Sequence, residues 1–255
     1  MRLIDSHSHL DADEFDPDRN QVLMRARAAG VTRQIVPAVC AAAFSKLREL
    51  SRTLSGLFPA YGLHPMFMSE HRPGHIAELQ AWIEREKPVA VGECGLDFHI
   101  ENTDAESQRH FFRAQLELAR GANLPVIVHA RKALDEVIVE IRRIGNLRGV
   151  IHSFSGSLEQ AKRLWDMGIC LGIGGPITYE RARRLRSIVA TMPIEFLLLE
   201  TDAPDQPLHG HQGARNEPAL LVETCSAAAR LRHVDPGELA AATTRNCERL
   251  FGLPG

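Results

Sequence analysis

Two histidines separated by one residue follow the first apolar run of the chain. Leu3–Ser6 reads as a short buried strand, and His7-Ser8-His9 comes directly after it. Alternate side chains of a strand share one face, so we expect His7 and His9 to point in the same direction. Neutral imidazole is a good ligand for divalent transition metals. The start of the chain therefore predicts part of a metal site, whose other ligands should lie elsewhere.

Histidine and carboxylate side chains also follow five other apolar runs. A polar side chain next to buried residues is unfavourable unless it is paired or binds a metal. Imidazole nitrogens and carboxylate oxygens, without thiolates, suit zinc, manganese, cobalt, nickel or, more weakly, magnesium. The groups at these five positions are His64, Glu93, His129, His152, and the pair Glu200 and Asp202.

The candidate ligands outnumber the needs of one tetrahedral cation. Four histidines and two carboxylates favour two divalent metal cations per chain, although the sequence does not select their identity. A site with two metals needs a bridging ligand, and a carboxylate can span cations roughly 3.5–4 Å apart. Glu93 is the candidate for this bridge.

The elements that must position these groups are short apolar runs alternating with segments of helical spacing. Eight strand–helix units at this length predict an α/β fold of the TIM, or (β/α)8, barrel type, with the metal site at the C-terminal ends of the strands. A doubly wound open sheet is the alternative, but it would gather its chemistry at one switch point. The predicted strands are Leu3–Ser6, Arg33–Pro37, Leu57–Tyr61, Val89–Gly92, Val126–His129, Val150–Ser153, Ile169–Leu171 and Phe196–Glu200. The predicted helices are 18–29, 43–54, 106–120, 157–167, 218–231 and 236–250.

The composition is that of an ordinary globular protein. With 255 residues, 44% of them hydrophobic and 24% charged, we expect one domain over residues 1–255. A net charge of −2 gives no global electrostatic case for nucleic acid, so such a partner would need a local basic patch. Five widely spaced cysteines favour reduced thiols. The chain shows neither a signal peptide nor a membrane span, so we expect a cytoplasmic protein, monomeric and without an obligate protein partner.

The motifs together resemble the TatD family of metal-dependent deoxyribonucleases, within the amidohydrolase-type metal-dependent hydrolase superfamily. The resemblance spans the whole chain and is strongest to the YjjV-like branch of the family. A further segment, Arg215-Asn216-Glu217-Pro218, also fits the pattern. The matching segments are Ile4-Asp5-Ser6-His7-Ser8-His9-Leu10, Gly62-Leu63-His64-Pro65, Val91-Gly92-Glu93-Cys94-Gly95-Leu96-Asp97, Pro125-Val126-Ile127-Val128-His129-Ala130-Arg131, Ile151-His152-Ser153-Phe154-Ser155-Gly156 and Leu199-Glu200-Thr201-Asp202-Ala203-Pro204.

The resemblance implies a role for each matching residue. One metal would be held by His7, His9 and Asp202, and Glu93 would bridge it to the second. The second metal would be held by the histidines that follow the fifth and sixth strands, which are His129 and His152. No carboxylated lysine is needed as a bridge, which separates this chain from the phosphotriesterase-like members of the superfamily.

Three residues are candidates for catalysis. The resemblance favours Asp202 as a general base that also touches metal, and it places His64 and Glu200 beside the scissile group. His64 would stabilise a phosphoryl oxygen or protonate the leaving group, or else make a structural hydrogen bond. Glu200 would orient the water or His64, or else support a ligand histidine.

Substrate contacts are expected from the loops at the same end of the strands. Arg131 and Lys132 follow His129 and are candidate phosphate contacts, and Asn216 lies in the long loop after the last strand. The basic run at residues 181–186 has helical spacing, which favours a solvated outer face.

The resemblance implies hydrolysis of DNA phosphodiester bonds by a 3′–5′ exonuclease that acts in DNA repair or degradation. Fold and metal site do not fix the substrate, so a hydrolase of another ester on the same dinuclear site remains the alternative. Small-molecule esters, phosphoesters and aminoacyl-tRNA are its candidate substrates. A metal-bound protein without catalysis is a third reading, and the intact set with Asp202 and Glu200 argues against it.

Overall fold

The computed structural model describes residues 1–99 and 104–254. Within them, eight strands form one parallel sheet whose spatial order is the chain order. The strands are β1 (Leu3–Asp5), β2 (Val31–Pro37), β3 (Leu57–Tyr61), β4 (Ala90–Asp97), β5 (Val126–Arg131), β6 (Gly149–Ile151), β7 (Ile169–Ile173) and β8 (Leu197–Leu199).

Helices connect the strands and cover the outside of the sheet. None in the described part of the chain is long and apolar enough to cross a bilayer. The α-helices among these residues are α1 (Arg19–Ala28), α2 (Phe44–Thr53), α3 (Gly74–Glu86), α4 (Ala105–Ala122), α5 (Leu134–Ile144), α6 (Leu158–Trp165), α7 (Arg183–Thr191), α8 (Leu221–Arg232) and α9 (Pro236–Phe251).

Contacts between the two edge strands close the sheet into a barrel. The backbone N–H of Ser6 donates to the carbonyl of Leu199 at 3.0 Å, and that of Asp202 donates to the carbonyl of His7 at 2.9 Å. These bonds join the residues that follow β1 to the end of β8 and the residues after it. The predicted (β/α)8 barrel is therefore confirmed, and the open sheet is excluded.

The interior of the barrel is filled from one end. One apolar side chain from every strand joins a buried cluster with the last helix, α9, and the residues after it. Because α9 covers the N-terminal ends of the strands, only the C-terminal ends are left open for a site. The strand residues of this cluster are Ile4, Ile35, Ala60, Ala90, Ile127, Val150, Cys170 and Leu198.

Two strands are longer than the sequence pattern predicts. β4 was expected to end at Gly92 and β5 at His129, yet they continue to Asp97 and Arg131 and pair with each other over these residues. Glu93 therefore lies within β4, at a register shift between the pairs of Val91 and Cys94, and His129 lies inside β5 rather than at its end. The sequence pattern does not predict these longer strands, because a strand that lines a metal site contains polar residues that interrupt the apolar run.

Other predicted boundaries differ by smaller amounts. β6 and β8 are three residues each and stop before His152 and Glu200. The helix predicted over residues 106–120 is α4, which runs to Ala122 and is capped by Asn123, whose backbone is left-handed. Ser157 caps α6 as predicted, and Gln160 completes a capping box with it.

Candidate metal centre

Glu93 lies at the centre of the open end of the barrel, and its two carboxylate oxygens face different histidines. Oε2 is 3.2 Å from Nε2 of His7 and 3.4 Å from Nε2 of His9. Oε1 faces a second group of three imidazole nitrogens at 3.0, 3.4 and 2.8 Å, which belong to His64, His129 and His152. One oxygen for each group is the arrangement that a bridging carboxylate requires.

Asp202 completes the first group. Its Oδ1 lies 3.5 Å from Nε2 of His7 and 3.6 Å from Nε2 of His9, and these two nitrogens are 3.1 Å apart. His7, His9 and Asp202 together form a cluster able to hold a metal ion. The backbone of Asp202 is left-handed, with φ of 58°. The sequence-predicted first ligand set is thus brought together around one point.

Carboxylate partners orient the two histidines of the second group. Nε2 of His129 lies 2.9 Å from Oδ2 of Asp97. Nε2 therefore carries the ring proton and donates it to this carboxylate, and Nδ1 has a lone pair that faces Glu93. Nδ1 of His152 lies 3.7 Å from Oε1 of Glu200, and its Nε2 faces Glu93 at 2.8 Å. The ring of His129 therefore presents an unprotonated nitrogen to the site, whereas 3.7 Å is too long for a hydrogen bond that would fix the proton of His152.

His64 belongs to the same cluster but is protonated differently. The backbone N–H of Met66 donates to Nδ1 of His64 at 3.1 Å. In the neutral ring the proton must then sit on Nε2, which is 3.0 Å from Oε1 of Glu93. A protonated nitrogen donates a hydrogen bond and does not ligate a cation. The local geometry thus separates His64 from His129 and His152.

Buried polar side chains beneath the site were missed as functional residues in the sequence. Asp97 orients His129, as described above, and its own backbone N–H and carbonyl both bond to the buried Gln108 side chain. Asp5 accepts hydrogen bonds from the backbone N–H and hydroxyl of Thr201, which joins the first strand to the last. Asp5 lies two residues before His7, and Asp97 is the last residue of the segment 91–97, so their positions beside ligand candidates are the only signals in the sequence.

A glutamine also supports Asp202. Nε2 of Gln206 donates to Oδ2 of Asp202 and to Oγ of Ser153. Glu200 accepts a hydrogen bond from the backbone N–H of Ser153 and packs against Gly172. A Cβ at Gly172 would lie 2.0 Å from Oε2 of Glu200, so only glycine leaves room for this carboxylate.

Burial and charge shift the pKa values of these carboxyl groups. Burial favours the neutral form of Glu93, but the surrounding histidines His152, His64, His7 and His129 together outweigh it, so the pKa of Glu93 lies well below its usual range. Burial raises the pKa of Asp202 to about 6, against the opposing charge of His152. Burial likewise raises the pKa of Asp5 to about 8. The histidines around Glu93 therefore favour its charged form, whereas burial disfavours the charged forms of Asp202 and Asp5.

The residues present fit a pair of divalent cations. Oε1 of Glu93 is buried and has no hydrogen-bond partner among the described residues, although three imidazole nitrogens lie within 3.4 Å of it. Because the Nε2–H of His64 can only donate, the nitrogens of His129 and His152 are those that converge with this oxygen on a position that a cation would satisfy. The donor set of nitrogen and carboxylate oxygen suits borderline divalent metals.

The predicted substrate contacts have different environments. Arg131 and Lys132 are exposed at the end of β5, and Lys132 lines a 480 Å³ pocket beside the metal centre. Asn216 is instead fully buried, and its amide donates to the carbonyls of Thr201, Asp205 and Gln206. We correct that prediction, because an amide used within the loop is not available to a substrate.

Comparisons with known proteins agree with this geometry. The sequence profile of the family described as TatD related DNase matches residues 4–252. The chain is 41% identical over 256 residues to an uncharacterized metal-dependent hydrolase, YjjV of Escherichia coli K12, and the match covers 99% of each. The crystal structure of that YjjV, a TatD homolog, gives a TM-score of 0.96 at 40% identity over 99% of both chains. A protein of Erwinia tasmaniensis named 3′-5′ ssDNA/RNA exonuclease TatD is 35% identical over 263 residues, covering 98% of this chain and 100% of that protein.

An eight-stranded parallel barrel with histidines and carboxylates at its C-terminal mouth defines a metal-dependent hydrolase of the TIM-barrel class. Within that class, the chain belongs to the TatD-related DNase family. The family suggested by the sequence motifs is thereby confirmed.

Proposed function

We propose that this chain hydrolyses the phosphodiester bonds of DNA and removes nucleotides from the 3′ end with two divalent cations. The observation that carries the proposal is that the two carboxylate oxygens of Glu93 face different groups of ligand candidates. One cation would be held by His7, His9 and Asp202, and the other by His129 and His152, with Glu93 between them. The named exonuclease among the relatives supports a nucleic acid as the substrate.

Two bound cations supply Lewis-acid polarisation of a phosphoryl oxygen and lower the pKa of water towards neutrality. Asp202 would accept the proton of the attacking water, because its Oδ1 faces the centre of the site, 3.5 Å from Nε2 of His7 and 3.6 Å from Nε2 of His9. Gln206 holds Oδ2 of this carboxylate, which leaves Oδ1 directed at the centre.

His64 acts on the substrate rather than on a metal in this proposal. Its Nε2–H is fixed by the backbone bond from Met66 to Nδ1 and points into the site. A donor fixed in this way can stabilise a phosphoryl oxygen or give its proton to the leaving oxygen. Glu200 serves as a positioning residue for His152, since its carboxylate lies on the Nδ1 side of that ring.

A nuclease assay tests the proposal. Metal-loaded protein, in a panel of manganese, zinc, cobalt, nickel and magnesium, is expected to shorten 5′-labelled single-stranded DNA progressively from its 3′ end. Glu93→Gln should abolish this activity, whereas Glu117→Gln, an exposed change on α4, should leave it intact. Turnover of carboxylic esters or aminoacyl-tRNA without cleavage of DNA would overturn the proposal in favour of another ester substrate.

A further inference from the structure

A second pocket opens beside the metal centre, at the C-terminal ends of β6 and β7. Its volume is 380 Å³, which lies in the range of about 300–1,000 Å³ that is typical of small-ligand sites. Phe154, Pro176 and Leu185 contribute buried or half-buried apolar surface, so they form its floor. Three exposed arginines line the same pocket and form its rim, which are Arg181, Arg183 and Arg184.

These arginines, which we call the rim arginines, differ from the arginines that are paired with carboxylates. None of them has a carboxylate within 4 Å in residues 1–99 and 104–254, whereas Arg25 and Arg113 form bidentate pairs with glutamates. Arg184 donates to the carbonyl of Ser155, and Arg181 stacks over the ring of Tyr179 at 4.9 Å. Two cationic groups are thus held across the pocket with their charge uncompensated by protein.

The position of the rim arginines on α7 adds to this charge. Arg183 and Arg184 are the first residues of that helix, which has no acidic residue in its first turn and no side-chain cap. Cations at a helix N-terminus are disfavoured by the helix dipole, and an anion there would relieve the repulsion. Arg181, Arg183 and Arg184 are exposed, as the helical spacing of residues 181–186 predicts, and all three also line the concave pocket.

The pocket is lined in part by residues that contact the supports of the metal centre. Ser153, which follows the ligand candidate His152, lines the pocket, and its Oγ accepts a hydrogen bond from Gln206, the residue that holds Asp202. Gly174 lines the same wall, and a Cβ on it would lie 3.6 Å from Cγ of Glu200. A ligand in the pocket would therefore be continuous with one at the metals.

We propose that this pocket binds the nucleotide next to the scissile bond. The backbone phosphate of that nucleotide would contact the rim arginines, and its nucleobase or sugar would pack on the apolar floor of the pocket. Guanidinium groups recognise phosphate oxygens through paired hydrogen bonds, and this site offers three of them. The inference rests on the proposed nuclease function and narrows it to a substrate with more than one phosphate. A small ester would occupy the metal centre alone and leave the rim arginines without a role.

Binding is measured first, in the absence of hydrolysis. The double variant Arg181→Ala/Arg183→Ala keeps Arg184 in its contact with Ser155, and Arg230→Ala/Arg245→Ala removes two exposed charges from α8 and α9 as the matched control. Fluorescence anisotropy of the metal-loaded protein with a labelled single-stranded oligonucleotide of hydrolysis-resistant phosphorothioate linkages should show affinity reduced on the order of tenfold for the rim variant. The dependence of log K on log salt should become shallower by about 0.7 for each lost phosphate contact. The control should match the unaltered protein.

Hydrolysis then separates the two proposals. The rim variant should lose kcat/KM on an oligonucleotide but keep it on a dinucleoside monophosphate, which carries one phosphate. Equal affinity and equal kcat/KM of rim and control variants on the oligonucleotide would overturn the phosphate pocket while leaving the nuclease function standing. Absence of DNA cleavage by the unaltered protein, with weakened binding by the rim variant, would overturn only the nuclease function. An unaltered protein that does not bind the oligonucleotide would overturn the pocket.

Discussion

The two ring nitrogens of each histidine decide its role in this site. In His129, Nε2–H donates a hydrogen bond to Asp97, and the unprotonated Nδ1 is free to bind a cation. In His64, Nδ1 accepts a hydrogen bond from a backbone N–H, so the proton is on Nε2. Two imidazoles that both lie within 3.4 Å of one carboxylate oxygen are thereby assigned to different tasks. The sequence shows only that both residues are histidine.

Substitution of these two histidines should separate metal binding from catalysis. We expect His129→Asn to lower the metal content by about one equivalent, because it removes a ligand. His64→Asn should keep the full metal content and lower kcat by roughly 10²–10⁴-fold, the range for loss of a proton donor. Elemental analysis after dialysis, paired with the nuclease assay, measures both. Loss of metal in His64→Asn would show that its Nε2 is a ligand, and the exposed His110→Asn serves as the control.

Sequence reasoning located the ligand candidates but not their supports. Residue type and position after an apolar run were sufficient for His7, His9, Glu93 and Asp202. The supports escaped because Asp97 and Gln206 act through contacts between segments distant in the chain, which no local pattern shows. Asn216 was misread for the same reason, since only the fold reveals that three backbone carbonyls use its amide.

At the scale of elements, the long segment after β8 is fixed to α1 by a charged network. Arg215 pairs with Asp18, which precedes α1, and Glu217 pairs with Arg25 through two hydrogen bonds of 2.8 Å. Asn216 lies between these two anchors and is buried. The segment that carries Gln206 is therefore held at its far end by the first helix of the barrel.

The ion pair between Arg25 and Glu217 should make stability depend on pH. The guanidinium of Arg25 holds the pKa of Glu217 below its usual range, so the pair stabilises the fold above the unfolded pKa of about 4.3. That contribution is lost as pH falls through the lower folded pKa. A double-mutant cycle of Arg25→Ala and Glu217→Gln should give a coupling of about 1 kcal/mol at pH 7 and close to none at pH 2–3.

Urea unfolding at the two pH values measures this coupling. A coupling that does not change with pH would show that packing of the Arg25 side chain, rather than its charge, holds the segment. The same cycle on Arg163 and Asp135, an exposed pair between α6 and α5, provides a comparison at a distance from this segment.

The element pattern was largely predictable because parallel strands covered by helices are apolar on both faces. The third strand was predicted with its observed limits, Leu57–Tyr61. The ends of β4 and β5 were not, because there the strands leave the apolar interior and line the metal centre. The apolar pattern therefore does not predict the strand residues that line the metal centre instead of packing in the core.

At the scale of the whole molecule, the metal centre joins strands from all sides of the barrel. Its ligand candidates follow or belong to β1, β4, β5, β6 and β8, and the four histidines and Glu93 face one another at distances below 4 Å. Any cation held there binds the folded chain and has no comparable site in the unfolded chain. Metal binding should thus stabilise the entire barrel.

Metal removal should accordingly lower the melting temperature. At a free metal concentration of 1,000 times Kd, binding contributes about 4.1 kcal/mol, which corresponds to a loss of roughly 8–16 °C on chelation for a chain of this size. Calorimetry with and without EDTA measures the change. Glu93→Gln should abolish most of the response and Glu117→Gln should retain it; an unchanged melting temperature in the unaltered protein would argue against tight metal binding.

The closure of the barrel also has a consequence for how the protein is made. Thr201 and Asp5 are joined by hydrogen bonds across 196 residues, and Arg33 bonds to the carbonyl of Pro254 across 221. During translation, the first strand and both of its histidines leave the ribosome long before their partners exist. We expect the nascent chain to remain open at this seam until β8 and α9 emerge, with folding slow and dependent on protection from aggregation.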